Sequence, residues 1–304
     1  MLIVMRCVCV VITGLILAAN AVKFLIVTHD GVRLYNMAGG YKNVILLQDM
    51  VKDVDYHLAR NDVYVMTYRQ IIRTPLEGRS TQNYTVIADP EDEYRFTSLA
   101  VDWVHEVLYW TSGPILVIHQ ACLNGSEQRI ILRCCYIEKH LNKLLVDPYV
   151  GRLFWMTNNE VHSANLQGKE YKKDIFPKIS SIRDIAIDVY RQRIYFLAAF
   201  SGDDTWFVTS SGYDGGYLKR HVQAPRVMYG LGAQRDEVYW IPHDDDSCVW
   251  EGNDVYRHRF TLYSASTEDN STARPLLMFP EPVWNLRVIQ SDLMEGNSSH
   301  GMCT

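Results

Sequence analysis

After its first two dozen residues the chain has no stretch of the ~18 apolar residues that a helical membrane span requires, so no membrane span is expected there. An excess of positive charge is also missing. Lys and Arg number 30 against 35 Asp and Glu, a formal net charge of -5. Without a basic stripe there is no electrostatic footprint for a phosphate backbone, and nucleic acid is excluded as an expected partner. No GxSxG, HExxH, P-loop or GxGxxG stands in a matching context. No CxxC pair and no Cys/His spacing of a zinc site occurs. No catalytic residue, metal ligand or cofactor is therefore expected, and the chain is not read as an enzyme.

The composition has 19 Tyr and 7 Trp, alongside many Val, Ile and Thr, a bias toward strands. At the N-terminus, Arg6 precedes an apolar run from Cys7 to Ala18 and a small-x-small site at Ala19-Asn20-Ala21. This reads as a signal peptide, residues 1–21, cut after Ala21; an uncleaved anchor is the alternative. A secreted or extracellular location is expected. Secretion makes the Asn-x-Ser/Thr triplets at Asn83, Asn124, Asn270 and Asn297 glycosylation acceptors. It also makes disulfides expected among Cys122, Cys134, Cys135, Cys248 and Cys303, an odd number that leaves one over. Adjacent cysteines do not readily bridge each other, so Cys122 is assigned to Cys134 or Cys135.

An internal repeat organises the rest. Ser98 to Ser112 reads SLAVDWVHEVLYWTS, Lys143 to Thr157 reads KLLVDPYVGRLFWMT, and Asp184 to Ala198 reads DIAIDVYRQRIYFLA. Weaker copies are DVDYHLARNDVYVMT, from Asp53, and LGAQRDEVYWIP, from Leu231. Each has an apolar run, a polar turn, and a second run centred on two bulky residues. The second-run positions Tyr64, Tyr109, Phe154, Tyr195 and Tyr239 are spaced by 45, 45, 41 and 44 residues, the period of a four-stranded propeller blade. FLIVTHDGVR, from Phe24, is a sixth copy with Ile26 at the Tyr position. Six copies predict an all-β, six-bladed β-propeller of four-stranded blades over residues 22–292. Its ring closes by pairing the N-terminal segment with Val283 to Val288, which removes the free sheet edges.

Leu99-Ala100-Val101-Asp102-Trp103 with Leu108-Tyr109-Trp110-Thr111, and Val146-Asp147-Pro148 with Gly151 and Phe154-Trp155, resemble the YWTD (class B) repeats of the low-density lipoprotein receptor family. The resemblance runs through nearly the whole chain after the leader. It departs at the fourth signature position, normally Asp, occupied here by His29, Thr67, Ser112, Thr157, Ala198 and Pro242. In the family that Asp ties neighbouring blades, so a different inter-blade network is implied, with Thr and Ser hydroxyls as substitutes. The first-strand acids Asp55, Asp102, Asp147 and Asp188 are read as structural.

The resemblance implies a ligand-binding face near the propeller axis, built from segments just before each inner strand. On this sequence that face includes Asn142, Arg183, Tyr229 and Glu281. It implies receptor–ligand recognition of a protein or peptide. A calcium-dependent propeller hydrolase or a structural, nidogen-like matrix protein are the alternatives. Residues 293–304 form a C-terminal tail. Cys303 falls near where the first cysteine of an EGF-like module would follow, which implies a piece of a larger receptor. His243-Asp244-Asp245-Asp246 is read as an acidic surface loop, because three adjacent carboxylates converge poorly on a metal. It opens an insertion over 244–259 that is a second candidate partner surface.

Overall fold

The computed structural model describes residues 22–38, 40–78, 83–89, 96–112, 117–133, 141–157, 160–177, 179–200, 205–243, 248–249, 257–258, 260–268 and 272–290. The leader, the tail, Asn270, Asn297, Cys134, Cys135, Cys303 and Asp244 to Asp246 lie outside these residues.

The described strands form the expected ring of antiparallel sheets. Blade 1 runs through Val51–His57, Asp62–Thr67, Ile71–Pro75 and Thr85–Ala88, from the axis outward. Blade 2 follows with Phe96–Asp102, Val107–Ser112, Val117–Cys122 and Arg129–Arg133. Blade 3 has Leu141–Asp147, Arg152–Thr157 and Glu160–Asn165. Blade 4 has Ser181–Asp188, Arg193–Ala199, Trp206–Gly212 and Lys219–Gln223. Blade 5 has Met228–Gln234, Glu237–Pro242, Phe260–Ser266 and Arg274–Phe279. In blade 6 the C-terminal strand Val283–Ile289 is innermost, and Lys23–Thr28, Gly31–Asn36 and Tyr41–Leu46 lie outside it. The closure expected from sequence is thus present, with Phe24 opposite Val288 and Ile26 opposite Leu286.

Two details differ from the expectation. Blade 3 has three strands among the described residues, and only the bridge Ser163–Lys172 marks the place of a fourth. The insertion of blade 5 carries a short ladder of its own, Cys248 opposite His258 and Val249 opposite Arg257.

The core is divided into six clusters, one between each pair of neighbouring blades. This follows from geometry: a single blade has two apolar faces, and each is buried only by the next blade round the ring. Tyr64 belongs to the cluster between blades 1 and 2, Tyr109 to that between 2 and 3, and Phe154 to that between 3 and 4. Tyr195, Tyr239 and Leu25 continue the series. The sixth repeat is therefore centred on Leu25 and not on Ile26, and its fourth signature position is Thr28 and not His29. A strand alternates faces every residue, so a one-residue slip moves the side chain into the wrong inter-blade layer.

The aromatic of the signature also has a polar function. Tyr64 Oη donates to Leu123 O at 3.3 Å, and Tyr109 Oη to Leu166 O at 3.5 Å, each reaching the next blade's outer turn. Those turns sit close against the preceding blade. At Gly168, with φ +73°, an added Cβ would stand 2.1 Å from Ile131 O, so both the left-handed backbone and the close approach require glycine.

A ring of six bulges and an axial cavity

Every inner strand carries a β-bulge near its start, at the second residue in five blades and the third in blade 4. The register slips between Val51 and Asp53, Phe96 and Ser98, Leu141 and Lys143, Ile182 and Asp184, and Met228 and Gly230. In blade 6 the same slip falls opposite Val27 and Thr28, which places it at Trp284. A bulge takes one residue out of the strand's alternation and re-aims it. Lys52, Thr97, Asn142, Arg183, Tyr229 and Trp284 thus occupy equivalent places at one end of the central axis.

At this end lies a cavity of about 230 Å³ whose lining includes Lys52, Thr97, Arg183, Tyr229, Trp284 and Asn285. Aromatic contacts organise its rim. Tyr229 packs against Trp284 with ring centroids 5.9 Å apart, against His243 at 4.8 Å and against Phe260 at 5.5 Å. The Lys52 ammonium lies 3.6 Å from the Tyr68 ring centroid, and the Arg183 guanidinium 5.6 Å from a Trp206 ring. Trp284 is 44% exposed despite its size.

One layer below, the residue after each bulge is polar in five blades and its contacts run between blades. Ser98 Oγ donates to Asp53 Oδ2 at 2.5 Å and accepts from Leu144 N at 2.9 Å, so it joins blades 1, 2 and 3. Asp53 also accepts from Leu99 N at 3.1 Å and Asn285 Nδ2 at 3.0 Å. Lys143 Nζ pairs with Asp184 Oδ1 at 2.9 Å, and Asp184 Oδ2 accepts from Leu231 N at 2.7 Å. Gly230 fills the blade 5 position, where a Cβ would stand 2.8 Å from the Leu286 backbone nitrogen.

Deeper still, Arg287 lies 3.5 Å from Asp55 and 3.7 Å from Asp53, and donates to Val54 O at 3.0 Å. Burial pushes the Asp55 carboxyl up from its ordinary value, against the opposing pull of Arg287. Burial also pushes the Tyr56 phenol up. At the far end Gln290 Nε2 donates to Ile187 O and Ala233 O, both at 3.1 Å, while its backbone N–H donates to Tyr56 Oη at 2.7 Å. Gln290 therefore links blades 1, 4 and 5 across that end of the axis.

Of the four binding-face residues named from sequence, Arg183 and Tyr229 line the cavity and Asn142 holds the equivalent place by register. Glu281 lies on the same face but outward, in an ion pair with Arg33 on the third strand of blade 6. Sequence reading missed Lys52, Thr97 and Trp284. Their signal was their place two residues ahead of the apolar core of each repeat. His29, Asp30 and Glu281 approach one another closely enough to share an ion, but Arg33 already pairs with both acids. Asn83 and Asn124 are exposed, and Cys122 is disulfide-bonded.

The four first-strand acids are all bonded structurally, but they are not equivalent. Asp102 Oδ1 accepts from Val104 N and His105 N, and Asp147 Oδ1 from Tyr149 N and Val150 N, capping the turn after the inner strand. Asp188 does the same toward Arg191 N. Asp55 does not: it lies two residues earlier and accepts from Val101 N at 2.9 Å, while His57 takes the turn position. The hydroxyls at the fourth signature position likewise bond within their own blades, Thr157 to His162 at 2.8 Å and Ser112 to His119 at 2.7 Å. The blade-to-blade ties come instead from the inner strands and the signature tyrosines.

Six sheets closed around an axis, with divergent side chains gathered at one end of it, define a six-bladed β-propeller with an axial face. No family model matches the chain. Among curated proteins it is 27% identical over 147 residues to the human low-density lipoprotein receptor-related protein 5-like protein, covering 44% of this chain and 55% of that one. It is 27% identical over 105 residues to human low-density lipoprotein receptor-related protein 8, covering 34% of this chain and 11% of that protein. A 73-residue stretch is 37% identical to the chicken proto-oncogene tyrosine-protein kinase ROS, 24% of this chain and 3% of the other. The chain thus spans about half or less of the length of these relatives. Among solved structures, a chain of a nidogen/laminin complex superposes with a TM-score of 0.70 at 12% identity, covering 89% of this chain and 99% of that one. An oligogalacturonate lyase from Vibrio parahaemolyticus superposes at 0.60 with 10% identity, covering 85% and 79%. At such identities these two structures speak for the fold alone. With the in-phase repeats and the receptor-related relatives, the chain is a six-bladed propeller of the YWTD type, like those of the low-density lipoprotein receptor family.

Proposed function

We propose that the chain is an extracellular protein-binding module, not an enzyme, which holds a protein or peptide ligand on its axial face in receptor–ligand recognition. One observation carries this. Five of the bulges bring the unlike side chains of Lys52, Thr97, Arg183, Tyr229 and Trp284 to one cavity, while the same strands elsewhere are filled by buried, mutually bonded groups. A surface freed from packing and gathered around a concavity is what recognition requires. A catalytic reading lacks support. The acids nearest the axis, Asp53 and Asp184, are held by backbone and side-chain donors and by Lys143.

The extracellular setting is supported by the leader-like residues 1–21, by the sequons and by a disulfide-bonded Cys122. The pairing of Cys122 with Cys134 or Cys135, and glycans on Asn83, Asn124, Asn270 and Asn297, belong to the same proposal. Among the described residues no helix is long and apolar enough to cross a membrane.

The test is a pull-down from extracellular extract with the purified chain, intact or carrying Arg183→Ala and Tyr229→Ala. A partner held by the intact chain and lost by the double variant is the expected result. Capture by both would move the site, with the insertion over 244–259 the next surface to test. No capture by a verified folded chain would overturn the binding reading.

A further inference from the structure

The charges around the axial cavity are not evenly matched. Lys143 is paired with Asp184, and Asp53 is surrounded by donors, so these groups are already satisfied. Beneath them Arg287 stands between Asp53 and Asp55. The remaining cations are Lys52 and Arg183. Among the described residues neither has a carboxylate partner. Each is laid against an aromatic ring, Tyr68 and Trp206, and a π-face steadies a cation without using its hydrogen-bond donors.

Their places in the ring matter. Lys52 belongs to blade 1 and Arg183 to blade 4, which are opposite each other in a ring of six. Tyr229 and Trp284, from blades 5 and 6, fill one arc between them. Thr97, from blade 2, lies in the other, where Asn142 holds the blade 3 place by register. The cavity therefore has a cation on each side, an apolar aromatic arc and a polar arc.

We propose that the bulge ring recognises a carboxylate seated between Lys52 and Arg183 and a bulky apolar side chain packed on Tyr229 and Trp284. The ligand is then a narrow peptide loop with one acidic residue beside one large apolar residue. A uniformly acidic ligand fits less well. The cavity offers two cations and an aromatic pair, so further carboxylates of a polyanion find no partners beside Tyr229 and Trp284.

This inference rests on the axial-face reading, and the experiment separates the two. A phage-displayed random dodecapeptide library is panned on the intact chain, and enriched peptides are synthesised with a fluorophore. Their Kd is measured on the intact chain, on a Lys52→Gln/Arg183→Gln variant and on Trp284→Ala, each checked by thermal unfolding. The expected result is an Asp or Glu within two residues of a large apolar residue. Changing that acid to its amide should weaken binding at least tenfold on the intact chain and have no further effect on the Gln variant. An acid-to-amide change without effect on the intact chain, or with the same effect on the variant, overturns the proposal. Peptides weakened by Trp284→Ala yet indifferent to the acid overturn it and leave the axial face standing. Peptides indifferent to every variant, or no enrichment, overturn both.

Discussion

The six inner strands end differently at their two faces. At the end opposite the cavity, Asp102, Asp147 and Asp188 each turn a carboxylate back onto backbone N–H groups, and the residue type repeats because the task repeats. At the cavity end the equivalent places hold Lys52, Thr97, Asn142, Arg183, Tyr229 and Trp284, with no common chemistry. The bulge explains the contrast. A residue lifted out of the alternation has no fixed layer to fill, so packing places little constraint on its identity. The boundary is one residue wide, since Asp53, Ser98, Lys143 and Asp184 are again bonded between blades.

That comparison is open to measurement. The largest effect is expected just below the ring. Asp53→Ala leaves Arg287 and Leu99 N short of a buried partner, and loss of about 3–5 kcal/mol is expected by chemical denaturation. A loss under 1 kcal/mol would mean that the polar layer is not what joins the blades. At the opposite end Asp147→Ala removes the acceptor for Tyr149 N, Val150 N and the Tyr213 hydroxyl, at an expected cost of about 2 kcal/mol.

Asp188 sharpens the point, because its buried Oδ2 has no hydrogen-bond partner among the described residues. Burial raises its pKa, so its charged form disfavours folding at neutral pH. Asp188→Asn keeps the turn acceptor and removes the charge, and a gain of about 1 kcal/mol at pH 7 is expected. The sign fixes the pH dependence. A carboxyl whose folded pKa is raised binds its proton more readily when folded. The advantage of the Asn variant should therefore shrink as pH falls through that raised value, and thermal melts across pH read this directly. The smallest effect is expected in the ring itself. Trp284→Ala should change stability by less than about 0.5 kcal/mol while abolishing ligand capture. A loss as large as that of Asp147→Ala would show Trp284 to be packing and not recognition.

Much of the fold was legible in the residues. The spacing of Tyr64, Tyr109, Phe154, Tyr195 and Tyr239 revealed the blades, because each repeat must bury the same aromatic in the same inter-blade layer. The phase was misread where the aromatic is absent, at Leu25, since an unbroken run Phe24 to Val27 offers no internal marker. Asp55 was grouped with Asp102, Asp147 and Asp188 for a similar reason: blade 1 has two acids, Asp53 and Asp55, and a His at the turn position. Half of the ring was named from sequence, as Asn142, Arg183 and Tyr229. Lys52, Thr97 and Trp284 were missed because their place two residues ahead of each apolar core marks them only once the phase of every repeat is fixed.

The sequence by itself determined the number of blades, the closure of the last by both chain ends, and the apolar layers between them. These follow from local periodicity, and burial makes periodicity visible. Only the tertiary structure decided which polar groups meet. Ser98 joins three blades, Gln290 crosses the axis, and Lys52 faces Arg183 from the opposite side of the ring. Such contacts link residues that lie in different repeats, and no single repeat carries a record of its distant partners. Ring closure brings them together by geometry alone.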